Sequence, residues 1–191
     1  MKSVALYGFA PATREGVWQS QADEVWSIVW AYKYDMPRLD RIIEMHPIWM
    51  QAASQKPEYV KARDHYAWLK ENTRYPVYML MERPEIPRCI RYPIEGVRGL
   101  LPKARRRKVF SSSFDYLMGL AVYEGYDRIE AYGFEMGSDT EYRYQREGAA
   151  YWIGVCGTPF LIGTGLRMDP GARSRARMSY LKYGAWSLFF S

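Results

Sequence analysis

The sequence predicts an α/β fold, a three-layer sandwich around a mostly parallel sheet of about five to six strands. Short apolar runs typical of buried strands alternate along the chain with segments that have helical spacing. Glycine or proline stands at many of the junctions between them. The chain of 191 residues has the length of one domain, and 48% hydrophobic with 25% charged residues is a globular composition.

Apolar and β-branched runs predict the strands. The first is 4–7, which ends at Gly8 and is followed by Pro11, so it should be a buried central strand that leads into a turn. The remaining strands are predicted over 25–30, 41–46, 76–81, 128–134 and 160–163.

Helical spacing predicts the elements between these strands. The segment 57–72 is amphipathic and opens with proline. The strongest helix follows three serines at 111–113 and should end at Gly125, a residue that commonly terminates helices. Further helices are predicted over 94–101 and 142–155, and the proline-rich segment 82–93 is predicted to be an extended connection.

Residues 1–164 are therefore predicted to form a Rossmann-like α/β domain, and residues 165–191 an irregular C-terminal tail. The tail ends in the apolar stretch 186–190, which favours packing on the domain or a homo-oligomer contact. The net charge of +6 comes partly from the basic run 103–108, which can attract nucleic acid or can simply be a solvated loop.

Two cysteines without CxxC spacing indicate neither a zinc site nor a disulfide framework, and a reducing cytoplasm suits them. The sequence has no apolar leader at its start and no window approaching the ~18 apolar residues of a membrane span. We therefore expect a cytoplasmic protein without a membrane partner.

Ligands of open α/β sheets bind beyond the carboxyl ends of the strands, near the point where strand order reverses. Four groups of residues are predicted to lie there. Amides and a hydroxyl of the first turn can face a phosphate, His46 can exchange a proton, the serines can bind an anion, and two acidic residues can bind ribose, act as a base or hold a hard cation. These candidates are Gly8, Phe9, Ala10, Pro11, Thr13, His46, Ser111, Ser112, Ser113, Glu135 and Asp139.

Each candidate also has a purely structural interpretation. The first turn can be a plain strand-to-helix connection, the serines can serve as helix caps, and Glu135 and Asp139 can belong to a solvated loop. A histidine is usually structural, and His65, within the amphipathic helix, fits that interpretation better than His46. The sequence contains no HExxH motif and no Ser/His/Asp order typical of hydrolases.

Three segments carry a resemblance: 8–13 (GFAPAT), 112–121 (SSFDYLMGLA) and 125–136 (GYDRIEAYGFEM). They resemble small phage-encoded Rossmann-like proteins of uncharacterised function. More distantly, they are similar to motility-associated glycosyltransferase-like and hydroxymethylpterin pyrophosphokinase-like proteins, and to bacterial sialyltransferases that use a cytidine-monophosphate sugar donor. A phage origin would imply the cytoplasm of the host.

The resemblance implies donor-binding residues. The turn of those transferases matches Gly8 and Pro11 and, more loosely, Ala12 and Thr13, while alanine replaces its second glycine. The serine before the helix implies Ser112 or Ser113, and later tyrosines imply Tyr142 and Tyr144. An asparagine expected after the second strand is replaced by Val29 and Trp30, which makes Trp30 a candidate ligand-binding residue. No histidine beyond His65 matches the late catalytic histidine of the sialyltransferases.

Two classes of function follow. One is a nucleotide or nucleotide-sugar binding protein that acts as a transferase, with His46, Glu135 or Asp139 as acid or base and a divalent cation as a cofactor that could accompany the nucleotide. The alternative is a non-catalytic accessory protein that sequesters a nucleotide, or that binds nucleic acid or protein through its basic and aromatic segments. Fold alone does not decide between them.

Overall fold

The computed structural model describes residues 1–34, 36, 38–54, 56–103, 109–135, 142–156 and 166–167. Six strands form the main sheet: β1 (Ser3–Tyr7), β2 (Glu24–Ile28), β3 (Arg41–Glu44), β4 (Val77–Met79), β5 (Cys89–Arg91) and β6 (Arg128–Tyr132). Their order is β5-β4-β3-β2-β1-β6, and every neighbouring pair is parallel. The predicted Rossmann-like α/β fold is confirmed.

The helices are α1 (Pro11–Arg14), α2 (Ile48–Ala53), α3 (Val60–Glu71), α4 (Ile94–Gly99), α5 (Ser113–Tyr123) and α6 (Tyr142–Cys156). Short 3₁₀ segments cover Glu15–Gln19, Ala31–Lys33 and Pro57–Tyr59. Two further short strands, β7 (Phe134–Glu135) and β8 (Leu166–Arg167), pair in parallel beyond the main sheet.

The three layers follow from side-chain alternation along the strands. In β1, Val4 and Leu6 join the apolar cluster formed with α4, α5 and α6. Ala5 and Tyr7 face the opposite way and pack with Val17 of the 3₁₀ segment. On that second face, α2 and α3 cover β3 and β4. Helices therefore cover both faces of the sheet.

Strand order reverses at β1. The chain adds β2, β3, β4 and β5 successively on one side of β1, and then crosses back to place β6 on its other side. The carboxyl ends of β1 and β6 thus border the point at which ligands of such sheets usually bind. The helix that returns the chain to β6 is α5.

Several predicted boundaries were wrong. Strand β2 ends at Ile28 because Trp30 has a left-handed backbone with φ of 67°, which cannot continue a strand. Strand β3 ends at Glu44, before a short turn into α2. The connection 82–93 contains the edge strand β5, where nearby prolines are tolerated because one side needs no partner.

Other predictions fall partly outside the described residues. The last predicted strand, 160–163, lies outside them, as does the tail 165–191 except for the two residues of β8. Within the part of the chain that the structure describes, no helix is long and apolar enough to cross a membrane.

Candidate functional site

A cleft of about 650 Å³ opens at the carboxyl edge of the sheet, where strand order reverses. The turns after β1, β2, β3 and β6 contribute to it, together with the first turn of α5 and the start of α6. Its lining residues are Gly8, Phe9, Ala10, Pro11, Ile28, Val29, Trp30, His46, Ser112, Ser113, Phe114, Gly133, Phe134 and Gln145. This volume is within the usual range for sites that bind small molecules or cofactors.

Two glycines allow the backbone to form the floor of the cleft. The amide of Gly8 donates to the carbonyl of Tyr132, and the amide of Ala10 donates to the carbonyl of Gly133, both at 2.8 Å. A Cβ atom on Gly8 would lie 2.4 Å from the Gly133 oxygen, and Gly133 has φ of 71°. The turns after β1 and β6 therefore approach too closely for any other residue at either position.

The first turn of α5 forms one wall and is closed by a capping box. Ser112 is the N-cap: its hydroxyl accepts from the amide of Asp115, whose carboxylate accepts from the amide of Ser112. The amide and the hydroxyl of Ser111 also donate hydrogen bonds to the carboxylate of Asp115. Ser113 and Phe114 both line the cleft, and their amides, in the first turn of α5, lack intrahelical acceptors.

Asp115 is fully buried at this helix start. Burial raises the pKa of its carboxyl to about 7, although hydrogen bonds from Ser111 and Ser112 act in the opposite direction. One carboxyl oxygen, Oδ1, has no partner among the described residues. Asp115 therefore lies behind the cleft wall, where it caps the helix.

Aromatic rings form much of the remaining lining. Phe9 stacks on Tyr34 with ring centres 4.8 Å apart, and Phe114 meets Phe134 edge-to-face at 4.7 Å. Trp30 lies edge-on to the ring of His65 at 6.0 Å. Its indole nitrogen is buried without a hydrogen-bond partner in the described part of the chain. Such surfaces can contact the flat faces of bases and sugars.

Trp30, in the turn after β2, has a left-handed backbone with φ of 67°. A bulky residue in this conformation is strained, whereas asparagine adopts it several-fold more readily. The turn after β2 therefore has the backbone that asparagine favours, but it carries an indole at the cleft instead.

His46 is the titratable side chain of the described cleft lining, and a buried carboxylate orients it. Its Nδ1 lies 2.8 Å from Oε1 of Glu44, which also accepts from the backbone amide of His46. The side chain of His46 is 52% exposed, whereas that of Glu44 is 0% exposed. Since Glu44 occupies Nδ1, the nitrogen left for a ligand is Nε2.

Each partner shifts the pKa of the other. The hydrogen bond to Glu44 raises the pKa of His46, helped by the negative charge and opposed by partial burial. Burial acts to raise the pKa of Glu44, but hydrogen bonds from His46 and His65 together with their charges outweigh it, so that pKa is lowered. The pair consequently favours an ionised carboxylate beside an imidazole that is readily protonated.

The cleft brings together many of the residues predicted from the sequence. Those that line it are Gly8, Phe9, Ala10, Pro11, Trp30, His46, Ser112 and Ser113. Ser111 is not among the lining residues, and its amide and hydroxyl donate to Asp115.

The other predicted residues are only partly described. The backbone of Thr13 belongs to α1, that of Glu135 to β7, and those of Tyr142 and Tyr144 to α6, while their side chains lie outside the described residues. Asp139 lies outside them entirely. So does the basic run 103–108, apart from the exposed Lys103.

Sequence reasoning missed Glu44 and the role of its second partner, His65. His65 was expected to be structural, and it is indeed fully buried, yet it hydrogen-bonds the same carboxylate as His46. Other lining residues absent from the predicted set are Ile28, Val29, Phe114, Gly133, Phe134 and Gln145. The available signal was Glu44 itself, a charged residue inside an apolar strand run and two positions before His46.

Comparisons with protein-family models, with curated proteins and with solved structures found no match for this chain. Among the described residues, no group of three or more His, Cys, Asp or Glu side chains could hold a metal ion.

Proposed function

We propose that the protein binds a nucleotide or nucleotide-sugar in this cleft and transfers a group from it, with His46 as the general base. The observation that carries the proposal is the oriented imidazole: buried Glu44 holds Nδ1, and the ring borders a cleft at the strand-order reversal. A carboxylate that fixes a histidine and stabilises its protonated form is a recurring catalytic arrangement.

The lining suits the two ends of such a ligand. The first-turn amides of α5, which have no intrahelical acceptor, favour a phosphate. The rings of Phe9, Trp30 and Phe134 offer apolar surface for a base or a sugar. The combination of apolar walls with few polar groups is typical of small-ligand sites.

The chemistry follows from the free nitrogen of His46. In its neutral form, Nε2 takes the proton from a hydroxyl of an acceptor molecule, and the oxygen then attacks the transferred group. The bond from that group to the nucleotide phosphate breaks, and the nucleotide leaves with the bonding electron pair. Glu44 stabilises the imidazolium that forms. Because Glu44 is buried, its negative charge is little screened by water.

The test of binding is a thermal-shift panel of nucleotides and nucleotide-sugars, with and without magnesium. A ligand at 100 times its dissociation constant should add about 2.7 kcal/mol to the free energy of unfolding. Trp30→Gly should abolish the shift, because glycine keeps the left-handed backbone while the ring is lost. Trp18→Ala, which removes a 50% exposed tryptophan outside the cleft lining, is the matched control.

The test of catalysis is release of the nucleoside phosphate from the nucleotide-sugar that the panel selects. His46→Gln should bind this ligand within a few-fold of the native protein and lose about 10²- to 10⁴-fold in turnover. Binding without any release in the native protein would favour the non-catalytic, sequestering alternative. No shift with any nucleotide would contradict the proposal as a whole.

A further inference from the structure

A chain of hydrogen bonds leads inward from the cleft to side chains that do not line it. His46 contacts Oε1 of Glu44, as described above. The other oxygen of Glu44, Oε2, lies 2.9 Å from Nε2 of His65. Nδ1 of His65 in turn lies 3.2 Å from the hydroxyl oxygen of Tyr32. The side chains of Glu44 and His65 are both 0% exposed.

The chemistry of the carboxylate sets the direction of the bonds to Glu44. An ionised carboxylate only accepts, so each imidazole nitrogen that faces Glu44 carries a proton and donates it. Nδ1 of His65 and the Tyr32 hydroxyl share the next hydrogen bond, and its direction depends on the tautomer of the ring. Burial raises the pKa of Tyr32 to about 12, so the hydroxyl keeps its proton at any working pH.

We propose that His65 is a positioning residue for His46: it holds and partly neutralises the Glu44 carboxylate, and Tyr32 fixes the ring of His65. The inference deepens the proposed function, because it concerns the regulation of the same histidine. It can nevertheless be tested on the free protein.

The side chains packed around His65 and Tyr32 are aromatic and do not compensate the negative charge of Glu44. The ring of Tyr32 stacks on Trp68 with centres 3.5 Å apart, and Trp30 covers another side of His65. The negative charge of Asp64 raises the pKa of Tyr32. Asp64 is not among the causes that lower the pKa of Glu44, which are the two histidines. Glu44 therefore depends on donors from the two histidines and the His46 amide.

Removing the hydrogen bond from His65 to Glu44 changes how tightly His46 holds its proton. Without His65, the charge of Glu44 is stabilised by fewer donors, and the carboxylate becomes a stronger base. The proton on His46 is then held more tightly. From the strength of a hydrogen bond to a charged group, the titration midpoint of His46 should rise by roughly one pH unit.

The chain has two histidines, which makes this measurement simple. Imidazole C2 protons are followed by NMR against pH, and the single resonance left in any His65 variant belongs to His46. His65→Phe removes the donor and should raise the midpoint by roughly one unit. His65→Gln keeps an N–H group that can reach Glu44 and should restore the native midpoint. Tyr32→Phe should shift it upward by less than His65→Phe.

A purely structural role for His65 would not produce this pattern. A native midpoint in a folded His65→Phe protein would overturn the proposal, as would equal shifts in the Phe and Gln variants. If His65→Phe does not fold, Tyr32→Phe decides alone, and an unchanged midpoint in that variant overturns the proposal. No nucleotide enters these measurements, so their failure is distinct from a failure of the binding panel.

Discussion

Gly8 and Gly133 lie in direct backbone contact, with a Cβ on Gly133 placed only 2.2 Å from the carbonyl oxygen of Gly8. The contact joins the turns after β1 and β6 across the point where strand order reverses. It permits the backbone to form the floor of the cleft without any intervening side chain.

Substituting Gly133 should separate a conformational penalty from a steric one. Gly125→Ala carries the penalty of a positive φ alone, about 1–2 kcal/mol, because its Cβ would meet nothing within 4 Å. Gly133→Ala adds the clash with Gly8 and should lose clearly more. Gly99→Ala, without positive φ or close neighbours, should be neutral or slightly stabilising. Urea unfolding gives these differences, and equal losses for the two positive-φ glycines would contradict the steric argument.

Asp115 should make the protein less stable as pH rises toward neutrality. Its native pKa of about 7 lies above the ordinary value near 3.9, so the native state binds the proton more tightly than the unfolded chain. The resulting stabilisation is complete below about pH 4 and is lost as pH rises through 7.

Asp115→Asn should remove this part of the pH dependence. The comparison is the free energy of unfolding at pH 4.5 and 7.5 for native protein and variant, with exposed Asp64→Asn as the control. A variant whose unfolding free energy falls over this interval as steeply as that of the native protein would show that Asp115 is not the group responsible.

The Glu44 and His46 pair should stabilise the fold most between the ordinary pKa values of the two residues. The lowered pKa of Glu44 gives a contribution that is present above about pH 4.3 and is lost as pH falls through its native value. The raised pKa of His46 gives one that is present below about pH 6.5 and is lost as pH rises through its native value.

Comparing native protein with His46→Gln tests this window. The difference in unfolding free energy should be larger at pH 5.5 than at pH 8.5. It should stay below ~1 kcal/mol, because water screens the half-exposed imidazole. A difference that grows at alkaline pH would reverse the sign of the argument.

Arg41 should matter more for stability than an ordinary surface arginine. Its guanidinium lies 2.7 Å from Glu124 and 2.8 Å from Glu24, and it also packs over the ring of Trp26. Arg41→Met leaves two partly buried carboxylates facing each other and should lose about 2 kcal/mol in chemical denaturation. Arg98→Met, which breaks an exposed pair with Glu95, should stay within about 0.5 kcal/mol. Similar losses in both variants would count against the network.

Local signals were sufficient for α3, α4, α5, α6 and the central strand, whereas the short helices α1 and α2 were not predicted. The serine cap of α5 and the stop at Gly125 were predicted from residue types, and the structure confirms both with a capping box and a positive φ. Pro57 likewise opens a 3₁₀ turn that leads into α3. These features depend on neighbours within one or two turns, so the sequence specifies them locally.

Strand ends were harder to predict. Val29 and Trp30 continue the apolar pattern of β2, but the backbone turns at Trp30. Strand β5 has little apolar character and exists because its backbone pairs with β4. Pairing partners lie far away in sequence, so hydrophobic periodicity alone does not reveal where pairing stops.

The sequence by itself determined the α/β alternation, the α5 cap, and the set of turns that could meet at one edge of the sheet. Tertiary structure alone decided that β6 returns beside β1, and that Glu44 lies buried between His46 and His65. The physical reason is that burial and hydrogen bonding depend on neighbours brought together by strand order. A glutamate on β3 becomes a partner of both histidines only when α3 packs over it.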